Sequence, residues 1–267
     1  MDSQFNFKKS LGQNFLTDRN VIHKIVDNAC IDKDTLVIEV GPGGGALSYE
    51  IVPVCKEAIL YETDSRLEGV LHDLLKNHSN YSLIIDDFLK RDLKSDLRDY
   101  SYSKLYLVAN LPYYITTPII MKFIDEDVLP DKIVVMIQKE VAERFSATVG
   151  SRDYGSLTVF LNYYYDIKKL FDVSRNCFQP KPNVDSAVVM MNIKNDRLYV
   201  KDIEFFKQLV KSSFSFKRKT IRNNLKKYDL GVIERVLKRF GFDLSVRAEQ
   251  LSLEVFVALA NELFQDK

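Results

Sequence analysis

Four apolar runs in this chain each hand over to a glycine loop or a polar residue, and that repeat constrains the fold more than any other feature. Thr35-Leu36-Val37-Ile38-Glu39-Val40 reads as a buried strand, followed at once by Gly41-Pro42-Gly43-Gly44-Gly45-Ala46 and by an apolar stretch, Leu47 to Val52, that suits a helix. The next strand, Ala58-Ile59-Leu60-Tyr61, ends at Glu62; a third, Tyr81 to Ile85, ends at Asp86-Asp87; a fourth, Leu105 to Ala109, ends at Asn110. Strands alternating with helical stretches predict an α/β fold with a parallel sheet, whose carboxyl edge is where ligands bind.

Glycines at the first strand end permit positive φ and let backbone approach a ligand closely, and the following helix offers free N–H groups. The spacing is G-x-G-x-G rather than the dinucleotide G-x-G-x-x-G, and no Lys-Ser/Thr pair follows, so a phosphate clamp is disfavoured. A tight turn would use the same residues. Glu62, twenty-one residues beyond Gly41, can accept both hydroxyls of a ribose, and a carboxylate at Asp86-Asp87 can accept a hydrogen bond from an adenine amine. Each acid alone reads equally as a solvated strand-end charge. Together the four strand ends predict an adenosine-bearing cofactor lying across the sheet edge, with a substrate base beside it.

Asn110-Leu111-Pro112-Tyr113 supplies the chemistry at the fourth edge. The exocyclic amine of adenine is a weak nucleophile because its lone pair is delocalised into the ring. Acceptors for its two N–H groups therefore help as the nitrogen pyramidalises. The Asn110 side-chain carbonyl is one such acceptor. Pro112 biases Leu111 towards an extended conformation that could leave the Leu111 carbonyl as the second. Tyr113 can stack on the base, a contact worth roughly 1 to 3 kcal/mol for an extruded nucleotide. Methyl transfer onto adenine is the expectation, although Asn-X-Pro is also an ordinary strand-end turn.

These motifs resemble the ribosomal RNA adenine dimethyltransferases, a family that uses S-adenosyl-L-methionine and has a bacterial kasugamycin-sensitivity branch. The resemblance runs nearly end to end: Leu11-Gly12-Gln13-Asn14-Phe15-Leu16, the glycine loop, Asn110 to Pro118, Gln138 to Arg144, Phe178 to Ser186, Arg218 to Leu225 and Arg247 to Leu253. It implies a Rossmann-like class I methyltransferase sheet with a small all-helical C-terminal domain. By position, it implies cofactor contacts at Gln13, Asn14, Leu16, Gly41, Gly43, Glu62, Asp87 and Asn110, and a catalytic pocket of Asn110, Leu111, Pro112 and Tyr113, with Phe178 as a second stacking face. Two positions depart from the family pattern. Gly44 stands where a larger apolar residue is usual, and Asp86 replaces a common glycine, so either Asp86 or Asp87 could face the cofactor; the following Phe-Leu-Lys aligns Asp87. Outside a pocket, Phe178 would read as a core aromatic and Asn14 as a helix-entry cap.

The substrate implied by the resemblance is a pair of adjacent adenosines near the 3′ end of 16S rRNA in an assembling small ribosomal subunit. A macrolide-resistance branch with the same fold and reaction modifies one adenosine of 23S rRNA, but Ile115-Thr116-Thr117-Pro118 and the carboxyl-terminal motif favour the small-subunit branch. A non-catalytic nucleic-acid-binding factor of the same fold is opposed by the intact Asn110 to Tyr113 and Glu62. DNA and glutamine methyltransferases with Asn-Pro-Pro-Tyr loops differ at Leu111.

Charge agrees with an RNA partner. The net charge is only +1, yet residues 205–247 hold twelve Lys or Arg against three Asp or Glu, so this stretch carries +9 and the remainder −8. Lys217, Arg218, Lys219, Arg222 and Lys226 are its densest part, interleaved with Phe214 and Phe216, and are the expected phosphate grips. A solvated helix face would use the same run.

With 46% hydrophobic and 28% charged residues, 267 residues can bury a full core. Domains are expected at 1–195, for the cofactor and chemistry, and 196–267, helical and RNA-binding, with Asn195-Asp196-Arg197 as linker. Asp18 is expected to cap a first helix through Ala29. Lys132 to Ile137 should form a fifth strand, while Tyr163 to Phe171 and Ser186 to Ile193 should pair at the sheet edge. Helices are expected at Ile203 to Phe214, Val232 to Phe240 and Leu253 to Phe264. Met1 to Ser10 lacks an apolar signal core and no apolar run nears the roughly 18 residues of a bilayer span, so a cytoplasmic monomer is expected. Cys30, Cys55 and Cys177 are widely spaced and the three histidines form no ligand pattern, so neither disulfide nor metal is expected.

Overall fold

The strand-end repeat becomes one seven-stranded sheet in the computed structural model of the protein, which describes residues 14–264. The strands are β1 (Phe15–Leu16), β2 (Thr35–Val40), β3 (Glu57–Glu62), β4 (Tyr81–Ile85), β5 (Lys104–Asn110), β6 (Lys132–Gln138), β7 (Tyr165–Val173), β8 (Phe178–Gln179) and β9 (Ser186–Ile193). The sheet order is β4-β3-β2-β5-β6-β9-β7, with β1 and β8 forming a separate antiparallel pair. The helices are α1 (Arg19–Ala29), α2 (Ser48–Ile51), α3 (Glu68–Leu75), α4 (Leu93–Leu97), α5 (Thr116–Asp125), α6 (Lys139–Phe145), α7 (Ser156–Tyr164), α8 (Ile203–Ser213), α9 (Ile221–Asn224), α10 (Leu230–Arg239) and α11 (Leu253–Leu263).

Two compact units divide the chain. The first comprises the described residues to Ala142 with Lys168–Ile193; the second comprises Glu143–Ile167 with the described residues from Lys194 onward. A boundary drawn at 195 therefore leaves out a segment of the helical unit, residues 143–167, that precedes β9 in sequence.

In the first unit β2, β3, β4, β5 and β6 run parallel and β9 is antiparallel to β6. All six residues of β2 are buried, as expected of a central parallel strand. Because β3 lies on one side of β2 and β5 on the other, the connections diverge there and open a crevice at the carboxyl ends of β2 and β5. Helix α1 begins where Asp18 accepts the Asn20 and Val21 N–H groups, at 2.9 and 3.3 Å, and it turns Ile22, Ile25 and Ala29 into the core.

One edge element differs from the sequence reading. Tyr163 and Tyr164 end α7 rather than begin a strand, and β7 starts at Tyr165. Thr158 Oγ1 accepts the Gly155 N–H at 3.2 Å at the start of α7, and Tyr163 packs on Phe206 with ring centroids 5.3 Å apart. Aromatic strand propensity yields here to packing in the helical unit's core. That core gathers Phe206, Leu209, Val210, Ile221, Leu225, Ile233, Leu237 and Phe256, from helices whose apolar residues recur three and four apart. Asp202 and Asp229 cap α8 and α10. Among the described residues no helix is long and apolar enough to cross a membrane.

Candidate active site

A cavity of about 430 Å³ opens at the crevice between β2 and β5, walled by the residues that follow β2, β3, β4 and β5 and by Asn14 to Thr17. Of the expected site residues it brings together Asn14, Leu16, Gly41, Gly43, Glu62, Asp87, Asn110, Leu111, Pro112 and Tyr113. Gln13 lies outside the described residues.

The glycine loop is shaped by its neighbours. Gly41 and Gly43 sit at φ +74° and +58°, which favour glycine. A Cβ on Gly43 would meet the Phe15 ring at 2.6 Å, and one on Gly41 would rest 3.5 Å from the Pro112 ring. The loop thus packs directly on the Asn110 to Tyr113 segment. Glu62 is 5% exposed and its carboxylate is fixed at both oxygens, Oε2 by the Gly43 N–H at 3.0 Å and Oε1 by the Asp64 N–H at 2.9 Å. Burial pushes its carboxyl above the usual carboxylate range, against the lowering effect of those backbone donors. Each oxygen keeps a lone pair that could receive a ribose hydroxyl.

At the end of β4 the two acids have different partners. Asp86 Oδ1 accepts the Asp87 N–H at 2.7 Å and Asp86 Oδ2 meets the Arg91 guanidinium at 3.3 Å. Those contacts hold the Asp86 carboxyl below its usual range. Arg91 is held in turn by Asp96, with Nε to Oδ2 at 3.0 Å, and Asp96 accepts the Tyr61 hydroxyl at 3.0 Å. Asp87 caps a short turn through Leu89 N–H at 3.0 Å, while its other oxygen has, among the described residues, only the exposed Lys90 ammonium at 3.7 Å. Asp87 is therefore the acid whose oxygen is the less committed.

The Asn110 amide is oriented by its own donor: Nδ2 gives a hydrogen bond to the Asn14 carbonyl at 3.2 Å, which leaves Oδ1 as an acceptor. The Leu111 N–H donates to Met136 across the sheet at 3.1 Å, and its carbonyl has no hydrogen-bond partner among the described residues. The Pro112 carbonyl is taken by Ile115 N–H and Thr116 Oγ1, each at 3.2 Å, which fixes the start of α5. The Tyr113 hydroxyl pairs with Ser186 Oγ at 2.6 Å, so a buried serine on β9 sets the ring's direction.

Phe178 stands elsewhere. It is 5% exposed, pairs with Leu16 across β1 and β8, and belongs to the core cluster with Val173 and Val188 rather than to the cavity wall. That pairing supports the strand that carries Leu16.

Sequence reasoning missed three contributors. Ser186 was visible only inside a motif, since nothing local ties it to a tyrosine 73 residues away. Tyr114, 59% exposed at the cavity wall, was hidden behind its neighbour. Glu39, 1% exposed, receives the Ser48 hydroxyl at 2.6 Å, and a charged residue inside an apolar strand was its available signal. Lys217, Arg218, Lys219, Arg222 and Lys226 lie in the second unit and are all exposed.

A family model described as ribosomal RNA adenine dimethylase matches residues 4–265. The chain belongs to that family. Relatives called "Ribosomal RNA small subunit methyltransferase A" include one from Geobacillus thermodenitrificans, 44% identical with 97% of this chain and 92% of the relative covered, and one from Staphylococcus haemolyticus, 43% identical with 97% and 90% covered. Among solved structures, a dimethyladenosine transferase from Plasmodium falciparum is 26% identical, with a TM-score of 0.77 over 92% of this chain and 95% of that one. The 23S rRNA methyltransferase ErmE is also 26% identical, with a TM-score of 0.75 over 94% and 100%. The fold is accordingly a Rossmann-like methyltransferase sheet with a helical C-terminal region, and this dimethylase is an enzyme whose substrate is ribosomal RNA and whose cofactor is S-adenosyl-L-methionine. The cavity fits that cofactor: glycines admit close backbone approach, Glu62 offers paired acceptors, the β4 acids sit beside an apolar wall of Val40, Phe88 and Leu89, and nearby carboxylates suit a sulfonium cation.

Proposed function

We propose that this dimethyltransferase methylates N6 of two adjacent adenosines near the 3′ end of 16S rRNA, twice each, in the small ribosomal subunit or its precursor, and works as a monomer in the bacterial cytoplasm during ribosome biogenesis. The observation that carries the chemistry is the Asn110 amide, anchored through Nδ2 to the Asn14 carbonyl so that Oδ1 is available as an acceptor. The small-subunit assignment is supported by the names of relatives above 40% identity along nearly the whole chain.

Asn110 Oδ1 and the Leu111 carbonyl accept the two N–H groups of the target amine and orient its lone pair. Both are held before the substrate arrives, so they favour the pyramidal nitrogen that develops during transfer. Tyr113, directed by Ser186, stacks on the flipped base. Burial pushes its phenol upward, so it keeps its proton at neutral pH. Gly41, Gly43, Asn14 and Leu16 shape the cofactor's seat, with Glu62 at the ribose and Asp87 at the adenine amine. Bound S-adenosyl-L-methionine supplies an electrophilic methyl group, with the N–C bond forming as the S–C bond breaks. The alkylated amine then loses its proton to solvent, so no strong base is required. Lys217, Arg218, Lys219, Arg222 and Lys226 grip RNA phosphates.

Radiolabelled methyl transfer to undermethylated small subunits and, separately, to large-subunit RNA tests this assignment. Dimethyladenosine in the small subunit alone is expected. Dimethyladenosine in large-subunit RNA alone would replace it with the 23S reading.

The two β4 acids give a sharper test. Asp87→Asn is expected to weaken S-adenosylhomocysteine binding about 10- to 100-fold, the loss of a charge-assisted hydrogen bond, as measured by calorimetry. Asp86→Asn should change it far less, because both Asp86 oxygens are already committed within the protein. The reverse order would assign the adenine amine to Asp86.

A further inference from the structure

Phe214 and Phe216 flank Ser215 and have opposite fates. Phe214 packs between Tyr154 and Phe256, with centroids at 6.1 and 5.7 Å, whereas Phe216 is 67% exposed. The exposed ring stands on a pinned backbone. The Phe216 carbonyl accepts the Lys219 N–H at 2.8 Å and the Asn224 amide at 3.3 Å, and the same amide reaches the Ser213 carbonyl at 2.6 Å. Lys217 Nζ donates to the Arg152 carbonyl at 2.8 Å, which ties the turn to a second loop of the helical unit. Arg218, Lys219 and Arg222 are exposed and make no ion pair among the described residues. One aromatic ring thus stands exposed on a fixed backbone, amid cations that no carboxylate of the described residues neutralises.

We propose that Phe216 is a stacking platform for an unpaired nucleotide of the bound RNA, flanked by Arg218, Lys219 and Arg222 as phosphate contacts. The proposal rests on the reading of this unit as RNA-facing and adds to it a preference for single-stranded RNA. Cations alone grip duplex and single strand alike through phosphates, whereas an aromatic face gains only from a base freed from its pair. Any base can stack, so the site reads strandedness rather than sequence. It belongs to a different unit from the catalytic cavity.

The natural chain contains no tryptophan, so Phe216→Trp creates a single tryptophan, excited selectively over the tyrosines, in the full-length protein. Short single-stranded oligoadenylate and an RNA duplex serve as probes, with affinity measured by anisotropy. Phe216→Ala is expected to weaken single-strand binding about 5- to 100-fold and leave duplex binding unchanged, and oligoadenylate should quench the Phe216→Trp emission. Wild-type affinity in Phe216→Ala, an equal loss for both probes, or an unquenched Phe216→Trp in a saturated complex would each overturn the platform while leaving the RNA-facing reading intact. Failure of the wild-type chain to bind either RNA, or undiminished binding in an Arg218→Gln, Lys219→Gln, Arg222→Gln variant, would remove the RNA-facing reading and the platform with it.

Discussion

Asn110→Ala lowers kcat about 100- to 1,000-fold, the usual cost of removing one preorganised polar group that meets charge developing in a transition state. The expectation follows from where the amide's two ends go. Nδ2 is spent on the Asn14 carbonyl at 3.2 Å, so Oδ1 is the end left for substrate. Alanine removes the acceptor, and the amine must then pyramidalise with one N–H unsupported by the protein. Little of the loss should appear as instability, because Asn110 sits at the end of β5, with its ladder to Met136 carried by backbone. Asn110→Asp separates the acceptor from its anchor. Aspartate keeps an oxygen but places a second acceptor against the Asn14 carbonyl, so the side chain must turn away and kcat should fall comparably. Single-turnover methyl transfer at saturating cofactor and RNA measures the step itself. A loss confined to cofactor KM, with kcat at saturation unchanged, would instead reduce Asn110 to a binding contact.

How far the sequence carried the fold depends on how local each decision is. Thr35–Val40, Tyr81–Ile85 and Ser186–Ile193 were legible to the residue because their apolar runs are bounded by turn-forming or polar neighbours. Helix α1 was equally legible, since Asp18 caps it and its apolar stripe is contiguous. The strand ends that wall the cavity follow from the same logic: once the strands are parallel, their carboxyl ends must share an edge. What escaped depends on distant partners. The sequence Asn162-Tyr163-Tyr164-Tyr165 favours a strand by composition, and only Phe206, some forty residues later, draws Tyr163 into a helix. The pairing of Phe178 with Leu16, which helps bury its ring, joins segments far apart in sequence. Tyr113 was legible as an aromatic next to the amide, but its aim comes from Ser186 on an antiparallel strand that no spacing rule links to it.

Glu39→Gln should raise stability on the alkaline side and remove Glu39's share of a decline that the wild-type protein shows between about pH 4.5 and 8. Burial pushes the Glu39 carboxyl up to about 8; the Ser48 hydroxyl opposes that rise and the neighbouring Glu62 carboxylate adds to it. In the unfolded chain the same group ionises near 4.5. Below that pH both states hold the proton and burial of the neutral acid costs little. Between the two values the unfolded chain gives up a proton that the folded protein keeps, so stability falls as pH rises, and above the upper value the loss is complete, on the order of 5 kcal/mol. Glutamine has the same shape, can still accept from Ser48, and stays neutral throughout. Urea unfolding at several pH values should therefore give curves for wild type and Glu39→Gln that converge near the acid end and separate progressively above it. Subtraction of the two isolates Glu39 from Glu62, whose carboxyl is raised in the same direction. Parallel curves would mean that Glu39 is already ionised in the folded protein, with a cation or water supplying what burial withholds. A neutral Glu39 also lessens the repulsion between two acids that share one wall of the cavity, where Glu62 is held by the Gly43 and Asp64 backbone donors.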